Sequence, residues 1–454
     1  MITHDASMAS ILDLRRRMYE ALPYRADVLL NIIDALTAGP RIATPAELAL
    51  SPLWGFAPAT LYTGLRAGAE DGPALERLRE ARRAWWEHWG ESQGEREERL
   101  GSWRVYILDA TDYPRPKAPT VERGFVHGAK GMTPGHGLSV LARQGGEGSW
   151  VLPLEMRLIP VGQAPGAFGA QQLGDYIAAQ GWGPDEVVAL DAGYTNAPSL
   201  RPMVEAGANV LGRVSSRRVF YLPPPPYAGR GRPAVRGRKI KLNDARTLPT
   251  PVAEEMVELP DKRRVAVSRW NDVRMRQWPE QPLVLYRVIE YRADGTRRFQ
   301  RPLWLIYVGA ALAPTPGQAQ TLYAHRFGIE HSLRFLKGEL GLVAGQFNGG
   351  VQEGASALAR VQLWVEVVAS ALWLLFALRS LAASQTLPWP AYWRSRRLTP
   401  GAVRRLALAI FVRLGISAPQ PCKRGKSPGR AQGTRLTPRK RYKIFRKRKR
   451  RTAT

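Results

Sequence analysis

The sequence predicts an α/β protein with a mixed β-sheet that is flanked by helices. From residue 103 onward, short apolar segments typical of strands alternate with segments of helical periodicity, after an opening antiparallel run. Two of the apolar segments, ILDAT and ALDAG, stop at an aspartate followed by a turn residue. Functional residues in sheets flanked by helices collect at the carboxyl ends of the strands. The 454 residues suffice for two or three domains.

The first 100 residues or so predict helices. Four segments with helical apolar spacing are separated by proline or glycine: SILDLRRRMYEAL, RADVLLNIIDALTAG, PATLYTGLRAG and PALERLREARRAWWEHWG. Small helical N-terminal domains often bind DNA, but no recognition helix is evident here, and a packing role explains the pattern equally well. The Glu-rich GESQGEREERLG is expected to be an exposed connection.

The central part of the chain predicts the sheet. GHGLSVLARQGGEGSWVLPLEMRLIP has the pattern of a hairpin with GGEG as its turn, and GAFGAQQLGDYIAAQGW that of a helix. EVVALDAGYTN, APSLRPMVEAGA and NVLGRVS then predict a strand, a helix and a strand. Residues 213–241 hold nine basic residues and no acid, and indicate either a mobile linker or a basic loop on a phosphate backbone. Further strands follow, with ADGT as a hairpin turn.

The last third predicts two helices and a basic tail. Residues 361–378 are the only apolar stretch long enough to suggest a membrane span. Gln362 opens this stretch and Glu366 interrupts it, which favours a buried core helix and no membrane partner. TPGAVRRLALAIFVRLGI predicts an amphipathic helix, and residues 423–451 hold fifteen Lys or Arg and no acid, as in a disordered cationic arm.

Composition points to a polyanionic partner. The net charge is +29, from 67 Lys and Arg against 38 Asp and Glu. The single cysteine, Cys422, excludes an internal disulfide and a cysteine zinc cluster. No G-x-x-x-x-G-K-[ST] motif occurs, so an ATP-driven motor is not expected. The N-terminus lacks a continuous apolar stretch, and we expect a cytoplasmic, nucleoid-associated protein without a secretory signal.

The segment TLYAHRFGIEHSLRFLKGELG carries an unusual set of polar residues. Tyr323, Arg326, Glu330 and Lys337 lie at offsets 0, 3, 7 and 14, and Arg334 lies at offset 11. In one continuous helix, at about 100° per residue, these side chains share a face. Cations and a phenol bind phosphate oxygens, and a carboxylate among them suits a hard metal ion. The alternative is a solvated face with weak i,i+4 ion pairs.

Three acids are the candidate metal ligands: Asp109 and Asp191 at the predicted strand ends, and Glu330 on the predicted helix. Three such oxygen donors can hold two divalent ions, one activating a water or 3′-hydroxyl and the other stabilising the leaving oxygen. Asp112 is a rival for Asp109, and for either aspartate alone a turn or cap role is the simpler explanation. His127, His136 and Lys130 in GFVHGAKGMTPGHG could line such a site, although surface or core roles are commoner for histidine.

At these residues the chain resembles the DDE transposases of bacterial insertion sequences. It is most similar to the cut-and-paste branch with a Y-x2-R-x3-E-x6-K (YREK) signature, which Tyr323, Arg326, Glu330 and Lys337 match at every offset. The resemblance covers residues 103–380 and implies a ribonuclease-H-like core interrupted by an all-β insertion. The implied domains are a helical N-terminal domain (1–100), the first core part (101–212), a basic linker with the β-rich insertion (213–316), the second core part (317–383), a C-terminal helical region (384–421) and a basic disordered tail (422–454).

The resemblance also implies roles for residues and partners. Asp109, Asp191 and Glu330 would bind two Mg²⁺ ions, for which Mn²⁺ substitutes, and catalyse excision and strand transfer. Tyr323, Arg326 and Lys337, with Arg334 beside them, would contact double-stranded DNA at the transposon's inverted-repeat ends, in a homodimer that also takes target DNA. A tryptophan of the insertion holds a flipped base in some members, and the candidates are Trp270, Trp278 and Trp304. The alternatives are a related DNA nuclease and a catalytically inactive DNA-binding protein of transposon origin.

Overall fold

The computed structural model describes residues 4–22, 24–93, 103–145, 150–227, 229, 231–259, 261–348, 354–383, 398–416, 431–433, 435, 438 and 440–446. Most of the predicted GGEG turn, the Glu-rich connection and the basic tail lie outside these residues. The contacts divide the chain into two compact units. Unit 1 comprises Met1–Glu98, Ala110–Gln163 and Gly328–Thr454, and unit 2 comprises Arg99–Asp109 and Ala164–Phe327. The structure therefore groups the N-terminal helices with parts of the predicted core, whereas the sequence predicts a separate N-terminal domain.

The helices confirm the predicted N-terminal and core helices, with one exception near residue 326. In chain order they are α1 (His4–Glu20), α2 (Ala26–Ala38), α3 (Thr60–Glu70), α4 (Ala74–Gln93), α5 (Pro165–Gln180), α6 (Ala197–Glu205), α7 (Pro316–His325), α8 (Gly328–Gly338), α9 (Gly354–Ala383) and α10 (Pro400–Arg413).

The strands follow the predicted pattern in part. They are β1 (Arg104–Pro114), β2 (Gly124–Gly128), β3 (Gly131–Gln144), β4 (Val151–Leu158), β5 (Glu186–Leu190), β6 (Val210–Val214), β7 (Val219–Tyr221), β8 (Lys239–Lys241), β9 (Ala253–Glu258), β10 (Arg264–Met275), β11 (Trp278–Tyr291) and β12 (Leu303–Val308). Strands β2, β7, β8 and β9 were not predicted, and β1 is longer than predicted.

Helix α9 is the core of unit 1. It is apolar on all sides, and it contacts α1, α2, α3, α4, α10 and β4. It is long and apolar enough to cross a membrane by composition, but 94% of its most apolar 18-residue window is buried inside the protein. The prediction of a buried core helix over this stretch is confirmed.

A buried ion cluster explains the acid in this apolar helix. Glu366 of α9 accepts hydrogen bonds from Arg79 at 2.7 Å and from Arg82 at 2.6 Å, both on α4. Arg82 also donates to the Ser370 hydroxyl at 2.8 Å. Because all four side chains are buried, each charge depends on its partners, and removing one typically destabilises a protein by about 3–5 kcal/mol. The cluster thus fixes α4 against α9.

Strands β2, β3 and β4 of unit 1 pair in antiparallel order. Strand β3 pairs with β4, which confirms the predicted hairpin, and on its other side with β2. The segment GFVHGAKGMTPGHG is therefore a β-hairpin and not a glycine-rich loop. Its turn passes through Gly131 at φ +103°, a conformation that favours glycine.

Unit 2 is built on a mixed sheet. The first residues of β1 pair in parallel with β5, and β5 pairs in parallel with β6. Strands β12, β11 and β10 continue the sheet in antiparallel order, and β9 pairs with β10. In the segment 213–241, β7 and β8 pair with each other, and β7 also pairs with β10. This segment is therefore partly ordered sheet edge, which neither predicted alternative included.

The C-terminal tail departs from the predicted disorder where it is described. The backbone N–H of Tyr442 donates to the carbonyl of Pro119 at 3.0 Å, and that of Phe445 to the carbonyl of Arg123 at 2.8 Å. The prediction of disorder rested on the cationic composition of the tail, and composition carries no information about backbone hydrogen bonds.

Candidate active site

The first two predicted metal ligands lie side by side in unit 2. Leu108 of β1 is opposite Leu190 of β5 in the parallel register, so Asp109 and Asp191 each directly follow a residue of the last paired position. Neighbouring strands are about 4.8 Å apart. The carboxylate-bearing side chains are 20% and 41% exposed, respectively, so both reach solvent.

Strand β1 continues beyond its first candidate ligand. The sequence predicts that this strand stops at Asp109, but β1 runs to Pro114, and only its pairing with β5 ends at Leu108. By contrast, β5 does end at Leu190, and a turn follows in which the N–H of Tyr194 donates to the carbonyl of Asp191 at 3.0 Å. Asp109 is thus held by a strand and Asp191 by a turn.

Helix α5 packs closely against Leu108 of β1 and against Tyr194 in the turn after β5. A methyl group added at Gly169 of α5 would come within 2.7 Å of the Tyr194 ring and 3.2 Å of the Leu108 side chain. Only glycine therefore lets the helix lie this close to the strand end and to the turn that follows Asp191.

Asp109 is paired with Arg326, which belongs to the predicted YREK signature. Arg326 Nη1 lies 3.2 Å from Asp109 Oδ2, and the Arg326 side chain is only 4% exposed. The guanidinium also lies over the Phe327 ring, 4.9 Å from its centroid. Arg326 is therefore engaged with a carboxylate in this state and does not present its charge to solvent.

Asp191 lies near two further polar side chains of unit 2. Its Oδ1 is shielded from solvent and has no hydrogen-bond donor among the described residues, while Arg213 Nη1 is 3.9 Å away. Burial raises the pKa of Tyr323 to about 12, and the negative charge of Asp191 contributes to the rise while Arg326 opposes it. The Tyr323 side chain is 1% exposed. In this state, neither Tyr323 nor Arg326 can contact DNA without a rearrangement.

The predicted continuous helix over residues 321–341 is wrong. Helix α7 ends at His325 and α8 begins at Gly328. Between them the N–H groups of Arg326 and Phe327 bond to carbonyls three residues earlier, which is the tighter 3₁₀ pattern. Gly328, a poor helix former, follows directly. Because the turn is tighter than an α-turn, the offsets 0, 3, 7 and 14 no longer place the four signature residues on one face.

The remaining signature residues belong to α8 in unit 1. Glu330 and Arg334 are exposed. Lys337 is half-buried, and its Nζ donates to the hydroxyl of Thr111 at 2.6 Å. Burial lowers the pKa of Lys337, and the charge of Asp112 opposes that effect. Lys337 is thus held beside the distal half of β1.

Asp112 is a weaker candidate ligand than Asp109. Side chains alternate along a strand, so Asp109 and Asp112 point to opposite faces of β1. The Asp112 carboxylate accepts the backbone N–H of His127 at 3.1 Å and lies 3.4 Å from its Nδ1. His136 is buried, and burial lowers its pKa to about 4, so this histidine belongs to the core. Lys130 is exposed in the β2–β3 turn.

The described residues hold no group of three or more His, Cys, Asp or Glu side chains that could bind a metal ion. Unit 2 nevertheless supplies chemistry that fits a divalent cation: two carboxylates that follow the last paired residues of adjacent strands, one with a shielded oxygen that no donor among these residues satisfies. The predicted third ligand, Glu330, lies in unit 1. The structure therefore fits the implied metal through Asp109 and Asp191 and leaves the role of Glu330 a prediction.

The three candidate tryptophans are core residues. Trp270, Trp278 and Trp304 are all buried, and the rings of Trp270 and Trp304 lie 5.8 Å apart. None of them offers a ring face to a base in this state. The sequence reasoning overlooked Phe299, which is 57% exposed with the Arg298 guanidinium 5.1 Å from its ring. The sequence feature that could have indicated Phe299 is an aromatic residue inside the basic run RRFQR.

Comparison with known proteins identifies the family. A family model described as DDE superfamily endonuclease matches residues 17–277, more than half of the chain. The match includes Asp109 and Asp191 and ends before the YREK segment. A search of curated proteins finds no match.

Among solved structures, the chain is similar to a piggyBac transposase, seen by cryo-EM in a synaptic complex with hairpin DNA. The two are 12% identical, with a TM-score of 0.36, and the alignment covers 86% of this chain and 70% of that one. This likeness is too low to carry an argument. The family match rests on sequence, and a mixed sheet in which Asp109 and Asp191 follow the last paired residues of β1 and β5 is consistent with it. The chain belongs to the DDE superfamily endonucleases.

Proposed function

We propose that this protein is a DNA transposase that excises a bacterial insertion sequence and joins it to target DNA. The observation that carries the proposal is the pair Asp109 and Asp191, which follow the last paired residues of two parallel strands, with Arg326 and Tyr323 of the YREK signature beside them. A family of DDE endonucleases supplies the reaction class. The finer assignment to a cut-and-paste transposase rests on the four signature residues.

In this proposal Asp109, Asp191 and Glu330 hold the divalent metal, with Mg²⁺ as the physiological ion. When bound, such a metal lowers the pKa of the attacking water or 3′-hydroxyl and stabilises the leaving oxygen. The protein's own contribution is to place two carboxylates on a rigid sheet edge and to shield an oxygen of Asp191 from water. Rigid placement matters because the reacting groups must be held in line.

In this proposal the cationic residues bind phosphates of the DNA backbone. Arg334 on α8 is exposed and needs no rearrangement to contact phosphate, whereas Arg326 must leave Asp109 first. Lys337 is positioned by Thr111 and would reach phosphate from a half-buried site. The proposal also includes the inverted-repeat ends of the element as the DNA substrate and a homodimer that holds two such ends. It further includes a cytoplasmic, nucleoid-associated location.

The test uses duplexes taken from the inverted repeats that flank the gene. Asp109→Asn, Asp191→Asn and Glu330→Gln should each abolish nicking, hairpin formation and strand transfer, while gel-shift affinity for the duplex in the absence of metal stays within about threefold. Asp112→Asn is the matched control and should retain cleavage, because that carboxylate is occupied by His127.

The outcomes separate the candidates. Cleavage by wild type without any strand transfer would indicate the related nuclease, and DNA binding without cleavage the inactive DNA-binding protein. Retained cleavage in Asp109→Asn together with its loss in Asp112→Asn would reassign the first ligand.

A further inference from the structure

The basic tail is fastened to unit 1 where it is described. Tyr442 and Phe445 donate their backbone N–H groups to the carbonyls of Pro119 and Arg123, at 3.0 and 2.8 Å. The pairing advances in the same direction on both segments. Residues 441–446 therefore lie along the segment that precedes β2 and are fixed to it by two backbone hydrogen bonds, without forming a regular strand.

Side chains reinforce these backbone bonds. The Phe445 ring lies on Gly162, where an added methyl group would come within 3.3 Å of it, and Gly162 has φ +92°. The Arg446 guanidinium lies 5.7 Å from the centroid of the Phe125 ring. Glycine at 162 thus provides both the backbone conformation and the room for an aromatic anchor.

The segment that receives the tail is itself held in place. Arg115 is buried and donates to the carbonyl of Phe347. Arg123 donates to the carbonyls of Arg115 and Pro116, at 2.9 and 3.3 Å. These bonds make the receiving segment a firm support, so residues bonded to it inherit a defined position.

The fastened segment is cationic. Arg441, Lys443 and Arg446 are exposed, and they form no ion pair with any described residue. Exposed Lys and Arg side chains of this kind can neutralise phosphates of a duplex. Between residues 115 and 130 the only acid is Glu122. This segment therefore suits a polyanion.

We propose that Tyr442 and Phe445 anchor the tail so that Arg441, Lys443 and Arg446 form a fixed phosphate-binding ridge for double-stranded DNA on unit 1. The inference deepens the proposed function, since it presumes a DNA substrate. It differs from a free cationic arm in one respect: the positions of these charges matter, and not only their number. Anchoring raises the effective concentration of the cations at the bound duplex.

The test compares full-length variants on a duplex of arbitrary sequence. Arg441→Gln with Lys443→Gln removes two ridge charges, and Arg424→Gln with Lys426→Gln removes two charges elsewhere in the tail. The ridge variant should lose about 1.8 from the slope of log affinity against log salt, equivalent to an approximately tenfold smaller fall between 50 and 200 mM salt. The control variant should lose less than half of that.

A third variant, Phe445→Ala, keeps every charge and removes the aromatic ring that lies on Gly162. It should weaken binding about threefold to tenfold at 100 mM salt. Hydrogen exchange on the DNA-free protein gives an independent readout: amides 442 and 445 should be protected in wild type and exchange freely in this variant.

Three results would overturn the proposal: unprotected amides in wild type, unchanged binding by the Phe445→Ala variant, or equal slope losses in the two charge variants. In each of these cases wild-type protein could still bind and cleave DNA, and the proposed function would stand. Failure of wild type to bind any duplex would remove the proposed function and the ridge's partner together, while protected amides would still verify the anchor.

Discussion

The ion pair between Arg326 and Asp109 predicts that metal binding is suppressed in the DNA-free protein. A cation that approaches Asp109 competes with a guanidinium 3.2 Å from the carboxylate. At an effective dielectric constant of about 20, two charges at that distance attract by about 5 kcal/mol. Much of this is offset by the cost of desolvating both groups, since Arg326 is almost wholly buried. A net penalty of about 1.4–2.8 kcal/mol corresponds to tenfold to a hundredfold weaker metal binding.

The perturbation is Arg326→Met, which keeps a long apolar side chain against the rings of Tyr323 and Phe327. We expect Mn²⁺ to bind the DNA-free variant tenfold to a hundredfold more tightly than wild type, as followed by the electron paramagnetic resonance of free Mn²⁺. Arg334→Met, which removes an exposed arginine, is the control and should leave the affinity unchanged. Thermal unfolding of each variant checks that the fold is intact.

Adding Asp109→Asn to Arg326→Met should abolish the increase in Mn²⁺ affinity, because that increase comes from the Asp109 carboxylate that Arg326 no longer pairs with. Equal or weaker Mn²⁺ binding by a folded Arg326→Met variant would refute the reasoning. If Arg326 moves to a phosphate when DNA binds, end duplex should tighten Mn²⁺ binding to wild type, and the same coupling should strengthen DNA binding when metal is present. The variant should lack this coupling.

Further predictions concern Lys337, Glu366 and His136. Lys337→Ala should weaken binding of end duplex by about tenfold, measured by gel shift, and change Mn²⁺ affinity less than twofold. Glu366→Gln should lower the free energy of unfolding by about 3–5 kcal/mol in a urea titration, because Arg79 and Arg82 remain buried without a countercharge. Burial lowers the pKa of His136 to about 4, so the unfolded chain binds its proton first as the pH falls. Stability should therefore decline from about pH 6.5 downward, by about 2–3 kcal/mol at pH 4, and His136→Phe should reduce that decline.

Each of these predictions has an exposed counterpart on the same chain. Arg66→Ala, which removes an exposed arginine of α3, should change the affinity for end duplex less than Lys337→Ala does. Glu76→Gln removes a half-exposed partner of Arg79 and should cost about 1 kcal/mol or less. His127→Gln should leave the acid decline in place, since its side chain is 81% exposed. A Glu366→Gln variant as stable as Glu76→Gln would contradict the assigned role of the buried cluster.

Elements that depend on local pattern could be predicted from the sequence. The strand that leads to Asp191 is a run of buried apolar residues closed by a turn, and both signals lie within ten residues. Helix α9 is apolar on every side, so its burial follows from composition. The partners of α9 could not be predicted in this way. Glu366 bonds to Arg79 and Arg82, which are almost 290 positions away in the sequence, and no periodicity encodes such a pairing.

The candidate site was only partly predictable for the same reason. Spacing placed four signature residues on one face only if the helix was continuous, and the 3₁₀ turn at Arg326 removes that condition. The three tryptophans were candidates because the sequence alone does not show which residues of a β-rich insertion are buried. The tail looked disordered because its side chains are cationic, although the bonds that hold it come from the backbone of Tyr442 and Phe445.

The arrangement of Asp109 and Asp191 argues that the signature serves two states of the protein. Two carboxylates that follow paired residues of neighbouring strands repel each other unless cations lie beside them. In the structure these cations are protein side chains, with Arg326 on Asp109 and Arg213 near Asp191. A metal ion and a phosphate backbone together could replace them without leaving a charge unpaired, because the metal takes the carboxylates and the phosphates take the arginine. We infer that Arg326 is placed in the signature for this exchange, which explains why a predicted DNA ligand lies buried against a predicted metal ligand.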